Sequence, residues 1–176
     1  MIEPNVQAIR QLNAQNKRIM FISNSSAKGR SHIVNRLADF QIKVPLENVH
    51  INLRKVYNSA FSTALYLKRH HPAIRRLLVI GSDNLLKELR VDGLETADCP
   101  TQESTTIQHF KNMIGGIDAS IDAVIVGVDY AINFGKVALA SLYIQKGKPL
   151  FATNKDQSIL VAGYKLPGAG SCVTPI

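Results

Sequence analysis

A chain of 176 residues, 45% hydrophobic and 19% charged, is long and apolar enough to bury a real core, which excludes general disorder. Its net charge of +8 and pI near 9.7 suit an anionic ligand, whether nucleic acid or a phosphorylated metabolite, and do not choose between them. No segment reaches the apolar length that spans a bilayer, and Met1-Ile2-Glu3-Pro4-Asn5 carries no basic stretch followed by an apolar run, so the expectation is a cytoplasmic protein without a membrane. Cys99 and Cys172 lie far apart, with no C-x-x-C pair, and signal neither zinc nor a disulfide framework.

In chain order, Pro4 suits a first helical turn, and Val6, Ile9 and Leu12 recur at helical spacing. Arg18 to Ile22 reads as a buried strand. The small polar run Ser23-Asn24-Ser25-Ser26 follows, and then a helix whose inner face is Ile33, Val34, Leu37 and Ala38. A helix around Tyr57 to Arg69, with Ala60, Ala64, Leu65 and Leu67, feeds the apolar strand Leu77-Leu78-Val79-Ile80-Gly81. Another helix runs through Leu85, Leu86 and Leu89. After a polar stretch from Pro100 to Thr106, the segment from Ile121 to Gly127 is the strongest strand of the chain, Phe134 to Gln145 is the helix after it, and Pro149 to Ala152 is a short strand. This alternation predicts an α/β protein with a parallel or mostly parallel sheet and ligands at the carboxyl ends of its strands.

The basic stretch Lys68-Arg69-His70-His71 ends a predicted helix just before Pro72, where cations complement the negative helix end; a solvated helix terminus explains it without nucleic acid. The serine-rich run is the better candidate for chemistry. A strand delivers hydroxyl and amide groups into the turn before a helix, where free backbone N–H groups and the positive helix end favour an anion such as phosphate. Spacing alone equally allows Ser25 or Ser26 to be a simple helix cap. No glycine-rich phosphate loop occurs, and Ser25 lacks the G-x-S-x-G elbow of a hydrolase nucleophile. Asp83 and Asp129 read as residues capping or bracing the helices that follow them, and His32, His50 and His109 as surface or partly buried neutral residues.

Five segments together resemble one family. Phe21-Ile22-Ser23-Asn24-Ser25-Ser26-Ala27-Lys28-Gly29-Arg30 is similar to the F-V-T-N-N-S-S-K-S-R segment of the p-nitrophenylphosphatase, phosphoglycolate phosphatase and pyridoxal phosphatase group of the haloacid dehalogenase superfamily. Val79-Ile80-Gly81 with Leu85 and Leu89-Arg90 resembles its V-I-G…L-x-x-E-L pattern, and Val126-Gly127-Val128-Asp129 with Asn133-Phe134 and Lys136 its V-V-V-G-x-D-x-x-F-x-Y-x-K-L stretch. The segment from Gly147 to Asp156 resembles G-K-P-F-I-A-T-N-x-D, and that from Leu166 to Ser171 resembles L-P-G-A-G-S.

The resemblance implies a partial Rossmann-like phosphatase core at 1–45, a large α/β cap domain at 46–160, and the start of a return to the core at 161–176. It implies that Ser23 hydrogen-bonds the transferring phosphoryl group and that Asn24 and Ser25 contact substrate, Ser25 standing where the family has a second Asn. It assigns no catalytic role to Lys148, because that G-K-P lies in the cap. The complete family protein would be a magnesium-dependent phosphomonoesterase acting through a phospho-aspartate on a phosphorylated small molecule. This chain contains no D-x-D, and Asp118, Asp122 and Asp129 do not match the family's metal ligands. The resemblance therefore implies a piece truncated at both ends, inactive alone and unable to bind magnesium at the family site. The alternatives are a non-catalytic substrate-binding remnant or an interaction module, such as a homodimer through the cap.

Overall fold

Continuous apolar runs that can be covered on both faces become central parallel strands, and here two of them organise most of the chain. The computed structural model describes residues 3–40, 42, 56–97, 99 and 106–176. The elements in order are α1 (Glu3–Ala14), β1 (Phe21–Ser23), α2 (Arg30–Asp39), β2 (Val56–Asn58), α3 (Ser59–His70), β3 (Arg76–Ile80), α4 (Asp83–Val91), β4 (Glu95–Ala97), α5 (Ile107–Gly115), β5 (Ala123–Val126), α6 (Phe134–Gln145), β6 (Leu150–Ala152), β7 (Ser158–Val161), β8 (Tyr164–Pro167) and α7 (Gly170–Val173). The fold is mixed α/β with parallel sheets.

The main sheet has the order β4-β3-β5-β6, all parallel, with Leu77 opposite Ala123 and Ile80 opposite Val126. Alternation along β3 and β5 sends side chains to two covered faces. Leu77, Val79, Ala123 and Ile125 pack with Ala60, Ala64 and Leu67 of α3 and with Leu85 and Leu89 of α4. Leu78, Ile80, Val124 and Val126 pack on the other face with Leu139, Ala140 and Tyr143 of α6. Chain order reverses at β3, with β4 on one side and β5 on the other, so the carboxyl ends of β3 and β5 flank a topological switch point.

Helix starts follow the capping rule, since Asn58, Ser82, Thr106 and Asn133 each accept a hydrogen bond from the backbone N–H three residues on. The helix expected from Tyr57 thus begins at Ser59, because Asn58 caps it and Val56–Asn58 pairs in parallel with Phe21–Ser23. The basic stretch Lys68-Arg69-His70 does form the last turn of α3, where Lys68 pairs with Asp92 at 3.6 Å.

The amino-terminal part is thinner. Val6, Leu37 and Ile42 form its small buried cluster, with Ile33 and Phe40 packed partly against it. Two expectations change here. The strand is only Phe21–Ser23 and is not buried, Ile22 being 83% exposed on a sheet face that no described element covers. Ala38 is exposed and not on the inner face of α2, which is narrower than the pattern suggested. The polar stretch from residue 100 to 105, His50 and the boundary at 45–46 lie outside the described residues; Thr106 caps α5. Among the described residues no helix is long and apolar enough to cross a membrane.

Candidate phosphate-binding site

Ser23 ends β1, and the chain bends through Asn24, Ser25 and Ser26 before reaching α2. The half-buried Ser23 hydroxyl accepts the N–H of Ser25 at 3.3 Å, a local side-chain to backbone bond that orients the oxygen while leaving its proton to donate outward. Asn24 is exposed, and its amide donates to Asp156 Oδ2 at 2.7 Å. Its carbonyl accepts from the Ser59 hydroxyl at 3.0 Å and from the Asn154 amide at 2.9 Å, so α3 and the segment after β6 both hold the bend at this residue.

Ser23 and Asn24 line a cleft of about 620 Å3 whose other walls are Ser59, Ser62, Thr63 and Tyr66 of α3, β6, Thr153 and Lys155. Tyr66, His71 and Phe151 form an aromatic group beside it, with Tyr66 6.2 Å and His71 5.0 Å from Phe151. Ser25 turns to the opposite side of the bend. It lies with Asn24, Ser26, Val128, Tyr130, Asn154 and Asp156 around a recess of about 160 Å3. The three residues expected to face one ligand thus divide between two openings, with Asn24 on both.

Ser26 is buried at 1% exposure, and its hydroxyl has no hydrogen-bond partner among the described residues; nor does the Thr153 hydroxyl. Both approach Gly127 at the end of β5. A Cβ placed there would stand 3.0 Å from Ser26 Oγ, 3.2 Å from Thr153 Oγ1 and 2.9 Å from Leu85 Cδ2, so only glycine lets the bend sit on the switch point.

The helix end itself differs from the sequence expectation. Neither Ser25 nor Ser26 caps α2. Gly29 stands at its N-cap without a side-chain bond, and Glu88 of α4 reaches across to accept the Arg30 N–H at 3.3 Å. The positive end of α2 is therefore already occupied by a carboxylate, and the anion-binding capacity of the bend rests on its hydroxyls, its amides and Lys155.

Lys155 was not singled out from the sequence, nor were Ser59, Thr63 and Tyr66; Lys155 stands at the variable position of the A-T-N-x-D likeness, and nothing local marked the α3 residues. Asp129 braces α6 as read. Its Oδ1 accepts the Ala131 N–H at 2.8 Å, and its Oδ2 meets Lys136 Nζ at 2.7 Å, both side chains being buried. Burial nearby pushes the Cys99 thiol up to about 11, against the opposing pull of Lys136. His32 is exposed and His109 half-buried.

Among the described residues no three His, Cys, Asp or Glu side chains come together closely enough to hold a metal. The cleft offers hydroxyls, one exposed amide and one lysine, a donor set matched to an anion, whereas magnesium requires several oxygen ligands. The described residues of this cleft do not fit the magnesium that the resemblance implied for the complete family protein.

The sequence profile of the haloacid dehalogenase-like hydrolases matches residues 1–95, and the chain belongs to that family. It is similar to phosphoglycolate phosphatase 2 of Arabidopsis thaliana, 27% identical over 98% of this chain and 57% of the relative. It is also similar to the 4-nitrophenylphosphatase of Schizosaccharomyces pombe, 29% identical over 94% of this chain and 54% of the relative. The fold matches a p-nitrophenyl phosphatase from Archaeoglobus fulgidus with a TM-score of 0.76 at 24% identity, covering 98% of this chain and 56% of that one. It also matches a glycerol phosphate phosphatase from Mycobacterium tuberculosis, solved in complex with magnesium, with a TM-score of 0.71 at 23% identity, over 95% of this chain and 44% of that one. The chain spans about half the length of the curated relatives it matches.

Proposed function

We propose that this chain is the substrate-gripping part of a phosphomonoester hydrolase, with Ser23 donating its hydroxyl proton to a phosphoryl oxygen and Lys155 supplying positive charge across the cleft. The observation that carries the reading is the Ser23 hydroxyl, oriented by the Ser25 N–H and opening onto a cleft with hydroxyl walls and a lysine. Asn24 contributes to substrate through whatever its bond to Asp156 leaves free, and Ser25 acts mainly by orienting Ser23. The family and the phosphatase relatives support a phosphorylated small molecule as the ligand.

Attack on phosphorus needs a carboxylate in line with the leaving group, and the carboxylate beside the bend, Asp156, is committed to Asn24. The chain alone is therefore read as inactive, with no magnesium step. The division retained is a core piece, a cap and a return segment at 161–176. Because β2 pairs with β1, its first joint is placed after Asn58 in preference to residue 45. The free thiols Cys99 and Cys172 suit the reducing cytoplasm in which we place it.

Titration of the 15N-labelled chain with inorganic phosphate should move the amides of Ser23 to Ala27 and that of Lys155, and Ser23→Ala should abolish the response. Hydrolysis of p-nitrophenyl phosphate with magnesium that depended on Ser23 would overturn the inactivity. A second reading, a non-catalytic module pairing through the cap, is favoured by the exposure of Ile107, Tyr130 and Phe134, each more than 70% exposed. A mass of one chain by light scattering at micromolar concentration removes it.

A further inference from the structure

We propose that Glu88, acting with Arg30, is the positioning pair that holds the serine-rich bend in its ligand-ready shape; the proposal rests on the phosphate-binding reading of that bend. Its basis is a set of contacts made by one helix and its cap, 56 to 58 residues away in sequence. Ser82 donates to the Ser26 carbonyl at 3.2 Å, and Asn84 donates to the Ala27 carbonyl at 2.5 Å. Glu88 accepts from Arg30 Nε at 2.9 Å and meets its terminal nitrogen at 2.8 Å, while also accepting the Arg30 backbone N–H. Ser26 and Ala27 are thus tied to the cap and first turn of α4, and Arg30 to its second turn.

The chemistry of the pair explains why it governs position. A guanidinium presents its donors as a rigid planar fork, and a carboxylate receives two of them side by side, so the geometry is directional as well as attractive. Both side chains are about nine-tenths buried, and the Arg30 guanidinium carbon lies 3.7 Å over the Phe61 ring of α3. Arg30 is consequently gripped by α3 and α4 together while beginning α2 itself. Glu88 also supplies the missing cap of α2, since Gly29 has no side chain to do so. One carboxylate sets both where α2 starts and how far the bend reaches, and hence where Ser23 stands relative to Lys155.

Glu88→Gln keeps the shape and one acceptor oxygen but removes the charge, whereas Arg30→Lys keeps the charge but loses the fork. In the full chain, Glu88→Gln should weaken inorganic phosphate by roughly tenfold, the lower end of what losing an outer partner costs a binding site. It should also shift the amide signals of Ser25 to Arg30 and speed their hydrogen exchange, leaving those of β3 and β5 in place. Arg30→Lys should fall between that variant and the parent. Wild-type amide signals and exchange across the bend in both variants would overturn the proposal, as would shifted signals with unaltered phosphate affinity. If the parent chain bound no phosphate, the phosphate-binding reading would fall by itself, and the exchange of Ser25 to Arg30 in the variants would still decide the clamp. Should Glu88→Gln not fold, Arg30→Lys carries the same readouts, and parent-like values would sink it.

Discussion

The two parallel sheets among the described residues solve the same problem with very different resources. The main sheet covers both faces of β3 and β5 with helices, and every residue of β5 is buried. The small sheet is two three-residue strands, β1 and β2, beside α2, and its buried cluster holds only Val6, Leu37 and Ile42 among the described residues. The serine-rich bend leaves the small sheet at Ser23 but is held by the large one and its helix α4, through Gly127, Ser82, Asn84 and Glu88. The lesson is that a functional bend can be placed on a weak element if a strong one holds it.

The largest expected effects lie in the large sheet. Lys136→Met leaves the Asp129 carboxylate buried without its cation and should cost about 3–5 kcal/mol of unfolding free energy, the usual scale for halving a buried pair. Ile125→Ala, at a fully buried position, should cost about 2–5 kcal/mol in transfer and cavity terms. Urea midpoints measure both. A loss of less than about 1 kcal/mol for each would mean that the main sheet is not the source of stability.

The same contrast decides what could be read from the residues in advance. β3 and β5 were legible because four or five apolar residues in a row, followed by a small polar turn, have one simple reading as buried strands. β4, Glu95-Thr96-Ala97, was missed because an edge strand of three mixed residues carries no pattern. The hairpin β7–β8 was missed as well, since its side chains are largely exposed, although Ala162-Gly163, both at positive φ, is the kind of two-residue turn that joins such strands. In the candidate site, Ser23 to Ser26 stood out by type and by family likeness. Glu88 falls on the E of the L-x-x-E-L likeness, but its contact with Arg30 was not legible, because a partner 58 residues away leaves no trace in local spacing. The exposure of Ile22 was hidden for a related reason, since an apolar residue in a strand does not reveal whether the face it points to is covered.

Between the extremes stand two changes at the joints. Gly127→Ala puts a methyl group among Leu85, Ser26 and Thr153 and should cost about 1–3 kcal/mol by overpacking. It should also shift the Ser26 amide; a thermal midpoint equal to the parent's would show that the bend is not seated on β5. Asp122 accepts the backbone N–H groups of Arg76 and Arg75 at 2.9 and 2.8 Å, and these bonds hold its carboxyl below the ordinary range. With the folded value depressed, the stabilisation is complete above the unfolded carboxylate range and is lost as pH falls through the folded value. Asp122→Ala should therefore cost about 1 kcal/mol at neutral pH, discounted for its solvent contact, and should flatten the acid side of the stability profile.

The smallest effect is expected at Ile22, and it is the sharpest test of the contrast. At 83% exposure its side chain has little to lose, so Ile22→Ser should change the unfolding free energy by no more than about 0.5 kcal/mol, the range of surface substitutions. The same substitution at any fully buried position of β5 would be severe, although both are apolar residues in parallel strands. A loss at Ile22 of about 2 kcal/mol, on the scale of burying such a side chain, would mean that the open side of β1 is covered in solution. Sedimentation at two protein concentrations would then tell a second copy from another part of the same chain, because only the former makes the loss depend on concentration.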